Sequence, residues 1–264
     1  MKPFDRVARP ADGAAWITGA SVGIGRATAL RLAADGWTLY ATARRHEALQ
    51  RLGWRGGGRA RAHRAAARRR HRSRGDAAGG RDHRRSGPLA LAVLNAGVYA
   101  PMRAQNFRTA TARRMFEVNL SGVANGLEPV LAHMIARRSG HVAVVASVAG
   151  YRGLPDSAAY SATKAGLIAM AEALAIDLVD LKVRISVINP GFVETEATAV
   201  NEFAMPFLMT PDEAARRIVG GLKRPGFEIA FPRRFALAMR LVGLLPNQAY
   251  IAAVRWMTGW GNKA

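Results

Sequence analysis

Short apolar runs alternate with longer segments of helical spacing along most of the chain. The apolar runs predict buried strands, and apolar residues repeated about every three to four positions predict helices that pack on them. Strands that alternate with helices form a parallel sheet with helices on both faces, so the pattern predicts an α/β fold. A chain of 264 residues is at the upper end for one domain, and we expect a single domain over residues 1–264. The predicted strands are residues 14–18, 37–43, 89–94, 141–147, 183–188 and 227–231, and the predicted helices are residues 26–34, 111–137, 158–179 and 211–222.

Residues 51–87 interrupt this alternation. Apart from Leu52 and Trp54 they contain no large apolar side chain, so they offer neither a strand nor a helix with a core-facing side. Residues 51–85 contain thirteen arginines against two aspartates, which is a charge of +11 out of +21 for the whole chain. We expect this Arg-rich segment to be poorly ordered and easily cut by trypsin.

Two origins of the Arg-rich segment are open. The chain has 34 arginines and 5 lysines, which indicates G/C-rich coding DNA, and such DNA read out of frame yields Arg, Ala, Gly and His. Two compensating frameshifts and a genuine basic insertion both fit this composition. A basic segment also suggests nucleic acid as a partner, but Trp54 is its only aromatic residue for base stacking, so nucleic acid is the weaker hypothesis.

The composition excludes several kinds of site. The chain has no cysteine, which excludes disulfides, thiolate metal sites and cysteine nucleophiles. Its six histidines lack the spacing of metal ligands, so we expect no metal. There is no apolar run long enough to cross a bilayer, and the first residues lack the apolar core of a signal peptide. We therefore expect an intracellular, cytoplasmic protein.

A glycine-rich turn, TGASVGIG, joins the first predicted strand to the first helix. Such a unit holds phosphates: Gly19 permits the tight turn, Gly23 lets the backbone approach a pyrophosphate, and Gly25 lets the helix pack on the strand. The second strand is followed by Arg44 and Arg45, where an NAD site would place an acid for the ribose hydroxyls. Arginine suits a 2′-phosphate, so NADP is the predicted cofactor. The alternatives are that the glycine turn is an ordinary loop and that the two arginines are solvated residues at the start of a helix.

The candidate reactive groups lie between Ser147 and Lys164. Ser147 ends a predicted buried strand, at the sheet edge where α/β proteins bind ligands. Tyr160 and Lys164 are four residues apart in a predicted helix and therefore share a face. A positive charge beside a phenol favours the phenolate, so we expect Lys164 to lower the pKa of Tyr160 and suit it to proton transfer. The alternative is a core tyrosine beside a solvated lysine.

Taken together, these motifs resemble those of the short-chain dehydrogenase/reductase family. The resemblance covers roughly residues 12–50 and 88–232 and follows the family's order and spacing. It rests on the glycine turn of residues 18–25, the Asn-Ala-Gly of residues 95–97, Asn119, Ser147, the Tyr160-x-x-x-Lys164 pair, and Pro190-Gly191 followed by Thr195.

The resemblance implies a single Rossmann domain with about seven strands, assembled as a homodimer or homotetramer. It implies that Tyr160 is the general acid/base, that Ser147 binds the substrate oxygen, that Lys164 also binds the nicotinamide ribose, and that Asn119 holds a water in a proton relay. The family places a third strand, ending in an aspartate, within residues 51–87, where this chain departs from the pattern. The implied cofactor-binding residues, besides Tyr160, Lys164, Arg44 and Arg45, are Thr18, Gly19, Ser21, Gly23, Ile24, Gly25, Asn95, Ala96, Gly97, Pro190, Gly191, Val193 and Thr195.

Residues 191–210 form the expected substrate loop. The loop is too apolar for a purely solvated segment and, with Tyr151 and Leu154, suggests a hydrophobic substrate; packing on the core is the alternative. Its large apolar residues are Phe192, Phe203, Met205, Phe207, Leu208 and Met209.

Residues 233–264 form an apolar extension that we expect to consist of two helices separated at Pro246. Arg240 and the break rule out a spanning helix. An oligomer interface or an extended substrate pocket is the first interpretation, and contact with a membrane surface is the second.

The sequence thus favours an NADP(H)-dependent oxidoreductase that interconverts a carbonyl and a secondary alcohol on a lipophilic substrate. The competing hypothesis is a non-catalytic Rossmann-fold regulatory protein that uses the Arg-rich segment on nucleic acid.

Overall fold

Six parallel strands form one sheet in the computed structural model, which describes residues 7–44, 87–200 and 205–260. Their spatial order is β2-β1-β3-β4-β5-β6. This confirms the α/β fold, with six strands in the described residues where the family resemblance implied about seven. The strands are β1 Ala14–Thr18, β2 Leu39–Thr42, β3 Leu89–Leu94, β4 His141–Val145, β5 Arg184–Pro190 and β6 Glu228–Phe231.

Several sequence-based expectations lie outside the described residues. They are the missing strand and the protease sensitivity predicted for the Arg-rich segment, the phosphate contact predicted for Arg45, and the apolar side chain of Phe203.

Seven α-helices in the described part of the chain connect or follow these strands. The bounds agree closely with the predicted ones, except that the predicted helix 111–137 is two α-helices joined through a π-helical turn at Glu117–Ser121. The helices are α1 Gly23–Ala34, α2 Thr109–Phe116, α3 Gly122–Ala136, α4 Ala158–Leu181, α5 Pro211–Leu222, α6 Arg233–Gly243 and α7 Asn247–Thr258.

Helices cover both faces of the sheet because its central strands are apolar on both sides. Every residue of β4 is buried. On one face Leu32 of α1 and Ile218 of α5 join the core, and on the other face Leu127 of α3 and Leu167 of α4 do so. A strand buried on both faces has no polar side, which explains the continuous apolar runs in the sequence.

Local signals explain where two helices begin. The Oγ1 of Thr210 accepts the N–H of Glu213 at 3.2 Å and so caps the first turn of α5. Pro246 precedes the first turn of α7, so the break predicted in the C-terminal extension separates α6 from α7. Within the described residues, none of these helices is both long enough and apolar enough to cross a bilayer.

The strand order places a binding crevice at the carboxyl edge of the sheet. The chain runs from β1 outward to β2 and then returns to the other side of β1 with β3. Ligands of open α/β sheets bind where the order reverses in this way. The segments that follow β1, β3, β4 and β5 all leave the sheet at this edge, and they carry the predicted site residues.

Candidate active site

Thr18 and Asn95 join the ends of β1 and β3. The Oγ1 of Thr18 accepts the backbone N–H groups of Asn95 and Ala96, both at 3.0 Å. The Nδ2 of Asn95 donates in return to the Thr18 carbonyl at 3.1 Å. These side chains therefore hold the two turns against each other and form the floor of the crevice.

The glycine turn is packed too closely for larger residues. Gly19 has φ +70, and a Cβ there would lie 2.9 Å from the Cα of Ala96. A Cβ on Gly25 would lie 2.2 Å from the carbonyl oxygen of Gly19, so α1 starts directly against the turn. Gly23 has φ +54, and its Cβ position is 3.0 Å from the methyl group of Thr195. As predicted, Gly19 lies in a tight turn and Gly25 lets the helix pack closely on the strand.

The first turn of α1 has the features of an anion-binding element. Its N-cap residue, Val22, provides no side-chain hydrogen bond to the helix. The first N–H groups of the helix are therefore available to a phosphate, and the helix dipole favours negative charge there. Ser21 is half-buried in the turn, and Ile24 packs partly on the core.

The end of β2 lies beside the same turn. The carbonyl of Thr42 accepts the N–H of Gly19 at 2.8 Å and that of Ala20 at 3.3 Å. Arg44 follows two residues later and is exposed. Its guanidinium is thus attached to the strand that borders the glycine turn.

Asn119 is fully buried in the π-helical turn between α2 and α3. Its Oδ1 accepts the N–H of Val98 at 2.8 Å, and its Nδ2 donates to the Val98 carbonyl at 3.0 Å and to Thr163 Oγ1 at 3.1 Å. The side chain thereby ties the loop after β3 to α4. The water-holding role implied for Asn119 stays a prediction.

Gly97 lies between Asn119 and Lys164. A Cβ at Gly97 would be 3.4 Å from Asn119 Oδ1 and 3.6 Å from Lys164 Nζ. Any side chain at this position would fill the space above the lysine, so the small residue keeps the crevice open beside the reactive groups.

The structure brings Ser147, Tyr160 and Lys164 together. Ser147 lies two residues beyond β4, and its Oγ accepts the N–H of Ala149 at 3.1 Å. The Ser147 hydroxyl lies close enough to the Tyr160 phenol to lower the pKa of the phenol, and its Oγ donates to the Pro190 carbonyl at 3.4 Å. Lys164 is buried, donates from Nζ to the Val145 carbonyl at 2.9 Å, and lies 5.5 Å from the centre of the Tyr160 ring. All three groups are therefore held at the carboxyl edge of the sheet.

The pKa of Tyr160 is shifted in the direction opposite to the one expected. Burial raises the pKa of Tyr160 to about 12, while the Ser147 hydroxyl lowers it and the neighbouring Tyr99 raises it. Burial also lowers the pKa of Lys164 to about 8. Both pKa shifts favour the neutral form of the side chain, because the site is shielded from water.

The segment after β5 forms the far wall of the crevice. Gly191 donates its N–H to the Phe231 carbonyl at 2.7 Å, directly after Pro190. Val193 is buried and pairs with Met209, so its side chain belongs to the core. The backbone N–H of Thr195 donates to Thr198 Oγ1 at 2.9 Å. This wall reaches the glycine turn where the Thr195 methyl group approaches Gly23.

The substrate loop divides into buried and exposed parts. Met209 is buried, whereas Phe207 and Leu208 are exposed. The Phe207 ring lies 6.1 Å from that of Phe235 on α6, and the Phe192 ring lies 5.8 Å from the same ring. The loop and α6 therefore share an aromatic cluster.

Sequence reasoning missed Tyr99. Its ring meets that of Tyr160 edge-on, with 5.0 Å between the centroids. Tyr99 follows Val98, which Asn119 holds, and it lies two residues beyond the Asn-Ala-Gly motif. The sequence feature that could have identified it is its position in the segment that follows β3.

A polar network around Glu228 was also missed. Glu228 Oε1 accepts the phenol of Tyr151 at 2.5 Å and Asn189 Nδ2 at 2.6 Å, and Oε2 pairs with Arg240 of α6. Tyr151, expected to line an apolar pocket, is therefore partly engaged in polar contacts. No sequence signal pairs these residues, which are separated by tens of positions.

The described residues bring together no group of three or more His, Asp or Glu side chains that could hold a metal ion. The donors at the carboxyl edge instead suit a dinucleotide. The uncapped first turn of α1 suits a diphosphate, and the opening above Gly97 suits a ring beside Lys164.

Comparison with known proteins agrees with this arrangement. The family model "short chain dehydrogenase" matches residues 13–204. The chain is 38% identical over 244 residues to a Myxococcus xanthus protein named "Uncharacterized oxidoreductase", covering 91% of this chain and 96% of that protein.

Solved structures show the same fold. A short chain dehydrogenase from Burkholderia cenocepacia, solved with NADP, superposes with a TM-score of 0.73 at 22% identity over 96% of this chain and 99% of that one. A 3-ketoacyl-(acyl-carrier-protein) reductase from Brucella melitensis, solved with NADH, superposes with a TM-score of 0.71 at 25% identity over 84% and 98%. The chain belongs to the short chain dehydrogenase family and is an oxidoreductase acting between CH–OH and C=O groups.

Proposed function

We propose that this protein is an NADP(H)-dependent oxidoreductase that interconverts a carbonyl group and a secondary alcohol on a lipophilic substrate. The observation that carries the proposal is the convergence of Ser147, Tyr160 and Lys164 beside the glycine turn. A hydroxyl donor, a proton-transferring phenol and a buried cation then face one crevice that suits a dinucleotide.

When bound, the nicotinamide cofactor supplies or accepts the hydride. Tyr160 transfers the proton to or from the substrate oxygen through its phenol oxygen. Ser147, which lies beside the Tyr160 phenol, donates to the same oxygen and stabilises charge that develops on it. Lys164, held by the Val145 carbonyl, adds positive charge on the Tyr160 side of the crevice.

The pKa of Tyr160 favours the reductive direction. Because burial raises this pKa to about 12, the phenol is protonated at neutral pH. It can therefore give its proton to the oxygen of a carbonyl substrate without first gaining one. Alcohol oxidation requires the phenolate and becomes faster as the pH rises.

NADP is the proposed cofactor because of Arg44. This residue follows β2, whose last carbonyl binds the glycine turn, and its exposed guanidinium is free to reach a 2′-phosphate. The two structural neighbours were solved with NADP and with NADH, so the preference rests on Arg44 in this chain.

A lipophilic substrate is proposed from the substrate loop. Phe192, Phe207 and Phe235 form an aromatic cluster, and Phe207 and Leu208 are exposed. Exposed apolar groups of this size beside a crevice favour an apolar ligand. The Brucella neighbour is a 3-ketoacyl reductase, which supports a keto group on an acyl chain as one such substrate.

A homodimer or homotetramer in the cytoplasm is the proposed state of the protein. Ile176 is 77% exposed and Val179 is 39% exposed on α4, so this long helix offers an apolar surface to a second copy.

The experiment that tests the proposed function is NADPH oxidation with methyl ketones and 3-ketoacyl thioesters of increasing chain length. We expect turnover, with kcat/KM rising with chain length. Tyr160→Phe should lower kcat by about 10² to 10⁴-fold while NADPH binding is retained. Wild-type turnover in Tyr160→Phe would refute the role of the phenol, and salt-dependent DNA binding without any turnover would favour the regulatory alternative.

A further inference from the structure

Exposed apolar side chains are concentrated at one part of the molecule. Of the fifteen large hydrophobic side chains exposed in the described residues, nine lie between Phe207 and Met257. A surface of this kind marks a site of interaction. The nine are Phe207, Leu208, Leu237, Leu241, Leu244, Leu245, Ile251, Trp256 and Met257.

The helices α6 and α7 and the turn between them carry seven of these residues, all on the outer side. Ala236 and Met239 of α6 and Tyr250 and Val254 of α7 are buried and form the inner sides. Leu237 and Leu241 of α6 and Leu244, the residue directly after it, follow at intervals of about one helical turn and form one exposed stripe. The helices therefore have apolar residues on two sides, one that packs on the domain and one that faces outward.

The two helices are attached firmly to the domain. Arg152 donates to the Gly243 and Leu245 carbonyls, both at 2.6 Å, and its guanidinium lies 4.2 Å from the centre of the Tyr250 ring. The guanidinium of Arg103 lies 4.6 Å from the centre of the Trp260 ring. The apolar stripe is thus held outward on a fixed support.

The charge of this surface decides between its possible occupants. Residues 233–260 contain four arginines and no acidic residue. Arg233, Arg234 and Arg255 are exposed and form no ion pair with any residue that the structure describes, while Arg240 pairs with Glu228. In a two-fold interface between copies, this surface would face a second copy of itself, and residues 233–260 of that copy offer the arginines no acidic residue to pair with. An anionic partner suits them better.

We propose that the outer side of α6 and α7, together with Phe207 and Leu208, docks on the surface of an anionic lipid bilayer. Large apolar groups and a tryptophan enter the boundary between headgroups and acyl chains, and arginines at the edge of such a surface bind anionic headgroups. Helices of eleven and twelve residues lie in the interface and do not cross it. Such docking would bring the apolar loop near lipophilic molecules dissolved in the bilayer.

The test is flotation of the full chain with vesicles of pure phosphatidylcholine and of phosphatidylcholine mixed equally with phosphatidylglycerol. We expect the protein to float with the mixed vesicles, to float poorly with the neutral ones, and to be released by salt. The double variant Leu241→Glu, Leu244→Glu should lower binding about tenfold or more. Circular dichroism verifies that each variant is folded.

Two further variants separate the contribution of the apolar stripe from that of the arginines. The control Phe107→Glu, Phe116→Glu adds the same charge to exposed apolar positions just before α2 and at its last residue, and it should float like the wild type. Arg234→Gln, Arg255→Gln should reduce binding to the mixed vesicles only. Failure of the folded wild type to float, or unchanged flotation of the Leu241/Leu244 variant, would overturn the proposal. If light scattering instead shows that this variant converts an oligomer to a monomer, the occupant is a second copy. None of these outcomes depends on NADPH turnover.

Discussion

The environment of Tyr160 contains groups that act on its pKa in opposite directions. Burial and Tyr99 raise the pKa, and the Ser147 hydroxyl lowers it. The Tyr99 ring is fixed edge-on at 5.0 Å, and the backbone before it is held by Asn119. The two neighbours of the phenol can therefore be changed separately, with opposite expected effects.

Ser147→Ala and Tyr99→Phe should move the pH profile of alcohol oxidation in opposite directions. Loss of the Ser147 hydroxyl raises the pKa of Tyr160 further, so the rise in rate moves to higher pH. Loss of the Tyr99 phenol removes an influence that raises this pKa, so the rise moves to lower pH. Ser147→Ala should also lower kcat by about 10²-fold or more, because a donor to the substrate oxygen is lost. The measurement is kcat against pH for both variants, and shifts in the same direction would contradict this assignment.

Arg44 is the residue on which the cofactor preference depends. Arg44→Asp should weaken NADP binding by about 1.5 to 3 kcal/mol, the contribution of a hydrogen bond to a charged group, and should leave NAD binding nearly unchanged. Arg9→Asp is the matched control, because Arg9 is exposed before β1, at the opposite edge of the sheet. Titration of both dinucleotides by fluorescence measures the effect. A similar loss for NADP and NAD would remove Arg44 from the phosphate site.

Arg152 connects the segment that follows β4 to the C-terminal helices. It lies in the turn after Ser147, and its guanidinium binds the carbonyls at the end of α6, the Asn247 side chain and the face of Tyr250. Tyr250 in turn donates to the Gly153 carbonyl at 2.6 Å. The helix pair α6 and α7 is thus fixed to the loop that carries the reactive serine.

Arg152→Ala should weaken this attachment by about 1.5 to 3 kcal/mol, since several hydrogen bonds from a charged donor are lost together. We expect faster hydrogen exchange in α7 and faster cleavage by trypsin after Arg255, with α1 unchanged. Tyr250→Phe keeps the ring under the guanidinium and removes one hydrogen bond, so its effect should be near 1 kcal/mol. Equal exchange rates in the wild type and Arg152→Ala would show that the helices are held by their apolar side alone.

The strands and helices were predictable because their signals are local. Apolar runs such as β3 and β4 are buried on both faces, Thr210 caps α5 and Pro246 separates α6 from α7. The pairing of Tyr160 with Lys164 was predictable for the same reason, because one helix carries both. Tyr99 beside Tyr160 and Tyr151 beside Glu228 were not, because these contacts join residues far apart in sequence.

The direction of the Tyr160 pKa shift shows the same limit. The charge of Lys164 was visible in the sequence, whereas the burial that raises the pKa arises only when the segments after β3, β4 and β5 close around the phenol. Local pattern therefore predicted which groups meet, and tertiary structure determined their protonation.

A buried hydrogen bond between His141 and Ser186 joins β4 and β5 near the amino edge of the sheet. His141 lies opposite Arg184 in the strand register, and His141 Nε2 forms a hydrogen bond with Ser186 Oγ at 2.8 Å. Arg184 donates to the Arg224 and Gly226 carbonyls at 2.8 and 2.9 Å, so it also holds the turn before β6. The His141 imidazole is thus buried beside the Arg184 guanidinium, which donates its hydrogen bonds to backbone carbonyls.

This arrangement predicts loss of stability in mild acid. Burial first, and then Arg184, hold the pKa of His141 well below its ordinary value. The folded protein therefore leaves His141 neutral at a pH where the unfolded chain, with a pKa of about 6.5, binds a proton. Because the unfolded state binds more protons, the free energy of unfolding falls as the pH drops below about 6.5. Between about pH 7 and about pH 5, His141 therefore contributes to the loss of stability.

His141→Gln isolates this contribution. Glutamine can keep a hydrogen bond to Ser186 and does not titrate, so the variant should be less stable at pH 7 but should lose less stability than the wild type on acidification. Urea unfolding at several pH values measures the difference. Lys164 and Tyr160 do not interfere, because the pKa values of about 8 and about 12 place their titration above this range. Parallel curves for the two proteins below pH 7 would show that the buried imidazole is protonated in the folded state, and that Arg184 and the surrounding strands tolerate its charge.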